Sequence, residues 1–237
     1  MKKKAILAIL LAILLPVTGY LLVDHYSKAA TRMPGRYFFD SVHVATHDGN
    51  TTYDTAWHHV SAMKFTNQFG KQVSLADLKG KIIVLDFFFT RCPSICPRLA
   101  VAMKRLQDSF KKNDSIVQFV SISVDPNYDQ VPELRKWAVK HQVDPDNWWL
   151  LTGNRDSIYQ FALHEIKANI ADEHVDTSFV HTENFFLLDK QRVIRGWFNG
   201  FDSTAQKKLV QDIPLLMLEK DKKVSFVTFL KGLIKDA

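Results

Sequence analysis

The stretch Ile82-Ile83-Val84-Leu85-Asp86-Phe87-Phe88-Phe89-Thr90-Arg91-Cys92-Pro93-Ser94-Ile95-Cys96-Pro97 begins as an almost continuous apolar run and ends in a loop with two cysteines and two prolines. Eight residues so rich in β-formers predict a central strand covered on both faces. Pro97 has no N–H to donate and fits the first helical position, which pushes Cys96 out of helical geometry. From Pro97 to Lys112, the apolar residues Leu99, Met103, Leu106 and Phe110 share one helical face, ending in Lys111-Lys112-Asn113. Both cysteines are thus placed between a buried strand and a helix N-terminus, where strand ends of open α/β sheets form a crevice.

Working outward, Lys64-Phe65-Thr66 and Lys71-Gln72-Val73 around Asn67-Gln68-Phe69-Gly70 predict a short hairpin, and Ser74 caps a helical turn ending at Gly80. Ile116 to Val124 reads as a second buried strand, Pro132 to Gln142 as an amphipathic helix, Trp148 to Leu151 as a strand and Arg155 to His164 as a third helix. Asn184 to Leu188 and Val193 to Trp197 form a hairpin about Asp189-Lys190, followed by a closing helix from Thr204 to Leu218. Strand, helix, strand, helix, then a terminal hairpin and helix, predicts an α/β thioredoxin-like fold: a mixed central sheet flanked by helices, over residues 61–213.

Before it, residues 25–60 mix Lys, Arg, Thr, Asp and His without a sustained apolar period and read as an exported spacer, with Tyr37-Phe38-Phe39 available to dock on the domain. Residues 214–237 interleave lysines with apolar residues such as Leu215, Val224, Phe226, Leu230 and Ile234, as in an amphipathic tail packed on the domain or on a membrane surface.

The chain of 237 residues is long enough for one well-buried domain plus appendages. Lys2, Lys3 and Lys4 supply half of its formal net charge of +6, and no dense basic run follows, so nucleic-acid binding is not expected. Residues 1–24 combine that lysine cluster with Ala5 to Val23, nineteen uncharged residues, about the thickness of a bilayer's hydrocarbon core as a helix. This predicts a transmembrane helix. A cleaved signal peptide is the alternative, since Val17-Thr18-Gly19 resembles a small-residue cleavage site. Either way the lysines stay inside and the rest is exported, on the periplasmic or extracytoplasmic face of a bacterial cytoplasmic membrane.

Only two cysteines occur, four positions apart. An exported protein can use such a pair as a disulfide, a metal site or both, and a staple closing so small a loop removes little chain entropy. A helix N-terminus and neighbouring Arg91 are expected to lower both thiol pKa values. The three-residue spacer is wider than the usual redox C-x-x-C and can set both sulfurs around one soft ion such as Cu(I), with a neutral imidazole as a suitable third ligand. Of nine histidines, most fall in the spacer, before the domain, at helix ends or in loops. His181, in Ser178-Phe179-Val180-His181-Thr182, precedes the strand Asn184 to Leu188, where a lone histidine is more often structural than a ligand on spacing alone. Asp125, in Asp125-Pro126-Asn127, is either an outer ligand or orienting group at the site or an ordinary turn residue, and Asp129 reads as a helix cap. Met63, Met103 and Met217 read as packing residues.

Taken in order, Thr90-x-Cys92-Pro93-x-x-Cys96-Pro97, Ser123-x-Asp125-Pro126-x-x-Asp129-x-x-Pro132, Leu151-Thr152-Gly153 and His181-Thr182 before Leu187-Leu188-Asp189 resemble the Sco/SenC family of copper chaperones, over about Phe65 to Asp212. The resemblance implies a membrane anchor and a copper site at Cys92, Cys96 and His181. It implies delivery of copper, as Cu(I) or Cu(II), to the binuclear centre of cytochrome c oxidase subunit II, with another copper chaperone or a thiol-disulfide donor as a further class of partner. A second reading uses Cys92 and Cys96 as the redox pair of a thiol-disulfide reductase acting on the acceptor's cysteines, with His181 dispensable. A third, thiol peroxidase, finds poor support in a C-x-x-x-C loop.

Overall fold

The computed structural model describes residues 12–23, 33–47, 50–168 and 182–219. Residues 1–33 and 34–237 form separate units. In the first, residues 12–23 are an exposed helix, α1. Among the described residues, no helix is long and apolar enough to cross a membrane. The predicted span starts at Ala5, and residues 5–11 lie outside the described residues.

The second unit is built on a seven-stranded sheet. Its strands are β3 (Lys64–Asn67), β4 (Gln72–Ser74), β5 (Ile82–Phe88), β6 (Val117–Ser123), β7 (Trp148–Thr152), β8 (Asn184–Leu188) and β9 (Ile194–Asn199), in the order β4-β3-β7-β6-β5-β8-β9. β5, β6 and β7 are parallel, while β8 runs antiparallel to β5, β9 to β8 and β3 to β7. Every residue of β5 and β6 is buried, the polar Gln118, Ser121 and Ser123 of β6 included, as in strands covered on both faces.

Alternation then divides the core. Ile82 and Val84 face α2 (Ile95–Ser109), α3 (Val131–Lys140) and α5 (Ser203–Leu218). Ile83, Leu85 and Phe87 face the 3₁₀ turn Leu75–Leu78 and α4 (Arg155–Gln160), which continues as a π turn over Phe161–Glu165. Ser74 and Asp77 make a capping box for the 3₁₀ turn, with Ala76 N–H donating to Ser74 Oγ (3.1 Å) and Ser74 N–H to Asp77 (2.8 Å). Met103 is fully buried, and Met63 and Met217 pack against the core.

Residues 34–47 and 50–60, read as spacer, are structured instead. β1 (Phe39–His47) and β2 (Asn50–Trp57) pair as an antiparallel ribbon outside the main sheet. Asp48-Gly49 between them is a two-residue hairpin signal, and Val42, Val44, Tyr53 and Thr55 are β-formers. The missed signal was alternation without deep burial: Val44 and Tyr53 are both exposed. The ribbon's base is tied to β9, where Tyr37 N–H donates to Ile194 O (3.0 Å) and the Tyr37 and Phe38 rings sit 4.8 and 6.0 Å from that of Trp197. Phe39 stays exposed.

Arg195, in β9, is buried and ties the segment before β1 to the residue that follows α5. It donates to Pro34 O (2.7 Å), Gly35 O (3.0 Å), Asp189 (2.8 Å) and Glu219 (2.6 Å). α5 runs through Pro214 to Leu218, and the tail from 220 lies outside the described residues.

Candidate metal centre

β5 ends at Phe88, and the chain turns through Thr90-Arg91 into the cysteine loop, with Cys92 N–H donating to Phe89 O (3.2 Å). α2 begins at Ile95, so Cys96 and Pro97 both lie in its first turn rather than Pro97 opening it. First-turn N–H groups have no partner within the helix, so proline costs nothing there. One of those free donors, Cys96 N–H, points at Cys92 Sγ (3.2 Å). Both cysteines are free thiols and buried.

Their acidities diverge, contrary to the expectation of two lowered thiols. Burial opposes the Cys92 thiolate, but donors from Cys96, Ser94 and Ile95 converge on the sulfur and hold its pKa below the ordinary thiol value. Burial pushes the Cys96 thiol well up, and its hydrogen bond to Cys92 and the nearby Asp86 add to the shift. Arg91 is engaged elsewhere. Its guanidinium donates to Asp125 Oδ2 from Nε (3.2 Å) and Nη2 (2.5 Å) and lies 4.3 Å over the Tyr128 ring.

Asp125, at the end of β6, is therefore held by the cysteine loop's own arginine. Among the described residues no group of three or more His, Cys, Asp or Glu able to hold a metal ion is assembled. His181 lies outside the described residues. The chain beside it is fixed: Thr182 is buried, Asn184 N–H donates to its Oγ1 (3.1 Å), and Gly200 N–H donates to Glu183 O (2.8 Å). Because β8 runs antiparallel to β5, Asn184 enters the sheet at the end from which the cysteine loop leaves.

Two acids escaped the sequence reading. Asp129, taken as a helix cap, is fully buried and grips the base of the cysteine loop: it accepts from Thr90 N–H (3.0 Å), from Thr90 Oγ1 and from Ser123 Oγ (2.5 Å). Burial raises its pKa, with the Ser123 and Thr90 bonds opposing that rise. Asp86 sits in the middle of β5, buried, with Oδ1 lacking a hydrogen-bond partner among the described residues. Burial pushes its pKa up to about 7, against a hydrogen bond with Ser121. A lone acid inside an otherwise apolar strand was a visible signal for Asp86. None distinguished Asp129 from a cap.

The loop can therefore present one sulfur readily as thiolate and a second, buried sulfur four residues on, a donor pair for a soft cation or a pair for disulfide exchange. The model of the SCO1/SenC family matches residues 52–217. The SCO1 protein homolog of Bacillus subtilis (strain 168) is 33% identical over 166 residues, covering 70% of this chain and 86% of that protein. Among solved structures, a SCO1/SenC family lipoprotein from Bacillus anthracis str. Ames superposes with a TM-score of 0.60 at 33% identity, covering 68% of this chain and 95% of its own. BsSco, in which a disulfide switch was identified and which is described as a member of the Sco family of cytochrome c oxidase assembly proteins, superposes with a TM-score of 0.59 at 33% identity, over 69% and 96%.

Proposed function

This chain belongs to the SCO1/SenC family, and from that premise we propose that it is a copper metallochaperone, taking copper on Cys92, Cys96 and His181 and passing it to the binuclear centre of cytochrome c oxidase subunit II. The observation that carries the reading is the Cys92–Cys96 pair, with a helix-start N–H aimed at Cys92 Sγ (3.2 Å) in a loop anchored at Thr90 by Asp129. Two sulfurs suit Cu(I), and the imidazole of His181, one residue before the buried Thr182, completes the set. Transfer proceeds by stepwise exchange of these ligands for cysteines of the acceptor, so no substrate bond is broken. Asp125 orients the loop through Arg91.

Residues 5–23, of which α1 is the described part, anchor the chain in a bacterial cytoplasmic membrane, with Lys2, Lys3 and Lys4 inside and the domain on the exported face. Resistance of the full chain to alkaline carbonate extraction is expected. Release into the soluble fraction would remove the anchor.

The unequal acidity of the two thiols favours a second reading, thiol-disulfide exchange on the acceptor's cysteines, in which Cys92 attacks and Cys96 resolves. One experiment separates the two. The full chain is reduced anaerobically and loaded with Cu(I), and copper per chain is measured for the native protein, His181→Ala and Cys92→Ser. Near-equimolar copper lost in both variants supports the chaperone; copper fully retained in His181→Ala rejects that ligand. Failure of the native chain to bind copper, with competent disulfide exchange, selects the reductase.

A further inference from the structure

A groove of about 450 Å³ opens directly after the cysteine loop, between the first three turns of α2 and the turn joining β9 to α5. Pro97, Arg98, Val101 and Arg105 line one side, Gly200 and Phe201 the other. Arg98, Val101 and Arg105 recur at helical spacing, so they form one stripe, with the Cα atoms of the two arginines about 10 Å apart along the axis. Neither arginine has a carboxylate partner among the described residues. The neighbouring acid on the same helix, Asp108, is taken by Lys104 (2.7 Å). Arg98 is held over the Phe201 ring at 4.3 Å, which fixes its place without neutralising its charge. Val101, between the two, is 49% exposed.

We propose that this groove docks an acidic segment of the copper acceptor, placing two carboxylates on Arg98 and Arg105 and a small apolar side chain on Val101. The inference rests on the copper-transfer reading and deepens it, since a segment seated here lies one residue beyond Cys96. Charge complementarity selects the occupant. Two arginines separated by an exposed valine suit a peptide better than a polyanion, whose contacts are almost all cationic. The chain's own tail, 220–237, carries more lysine than aspartate and is repelled. Cationic side chains at the rim of an interface act mainly through encounter and salt dependence.

The test uses the full chain, reduced and metal-free, titrated with the copper-free soluble domain of cytochrome c oxidase subunit II at low and high salt. Arg98→Glu/Arg105→Glu is expected to weaken binding at low salt by at least about tenfold and to abolish its salt dependence. Arg98→Lys/Arg105→Lys is expected to retain most of the affinity. Copper loading, measured separately, stays near one per chain in every variant. Loss of loading in the native chain would sink the copper reading while leaving the binding result to stand alone. Three outcomes overturn the docking proposal: no binding by the native chain, binding unchanged or tightened by charge reversal, as when the chain's own acidic stretch 169–181 covers the groove, or a salt-sensitive dimer of the native chain that charge reversal dissolves.

Discussion

Replacing Asp86 by asparagine should flatten the stability of this protein against pH. Asp86 is buried in the centre of β5, and burial lifts its pKa from 3.8 to about 7. Between those values the folded chain holds a proton that the unfolded chain has released. Stability therefore falls as pH rises through that window, and levels off above it. At 1.36 kcal/mol per pKa unit the whole effect is about 4 kcal/mol, of which about 3 kcal/mol falls between pH 4.5 and pH 8. The amide that replaces the carboxyl is close to isosteric and carries no charge at either pH. Thermal unfolding of the reduced, metal-free chain should show native and Asp86→Asn melting close together at pH 4.5 and separating by roughly 6–12 °C at pH 8, the variant higher. Other groups titrate in this range in both proteins, so the difference between the two curves isolates Asp86. Parallel curves, with native and variant losing the same stability from pH 4.5 to pH 8, would refute the assignment of a buried, late-titrating carboxyl.

The unequal thiols should show in alkylation: iodoacetamide at neutral pH labels Cys92 first, with a pH midpoint below the ordinary thiol value, while Cys96 reacts only after unfolding. Equal labelling of the two in the folded chain would contradict the geometry. Asp129→Ala strips the buried bonds to Thr90 and Ser123 and should cost about 2–4 kcal/mol in urea unfolding. It should also weaken Cu(I) retention by competition against a chelator; unchanged retention would mean the loop holds its shape without that grip. Arg195→Ala leaves Asp189 buried without its cation and should cost about 3–5 kcal/mol, with limited proteolysis opening first near Pro34 and Gly35. Loss of stability without early cleavage there would separate the ion pair from the clasp.

Asp129 and the ribbon mark where reading a sequence stops. Asp129 was legible only as a cap, because its true partner, Thr90, lies 39 residues away and is reached only when β5 and β6 run side by side in register. The ribbon of β1 and β2 carries its β-formers on an exposed surface, where no burial pattern marks them, although Asp48-Gly49 stood between the strands. Arg195 is buried against the backbone carbonyls of residues 34 and 35 and the carboxylates of Asp189 and Glu219, and no local pattern predicts that meeting.

What the sequence determined by itself was everything that depends on near neighbours: the apolar runs that make β5 and β6, the helix after the cysteines, the hairpin of β8 and β9, and the pairing of Cys92 with Cys96 four residues apart. These follow from periodicity, proline chemistry and turn residues within a few positions. The tertiary structure decided the charge state of the site. Cys92 is lowered because helix-start donors converge on it, Cys96 is raised because it is buried, and Arg91 is withdrawn to Asp125. The donors to Cys92 are local, from Ser94, Ile95 and Cys96, whereas the desolvation of Cys96 and the reach of Arg91 to Asp125 depend on which distant strands and helices close over the loop.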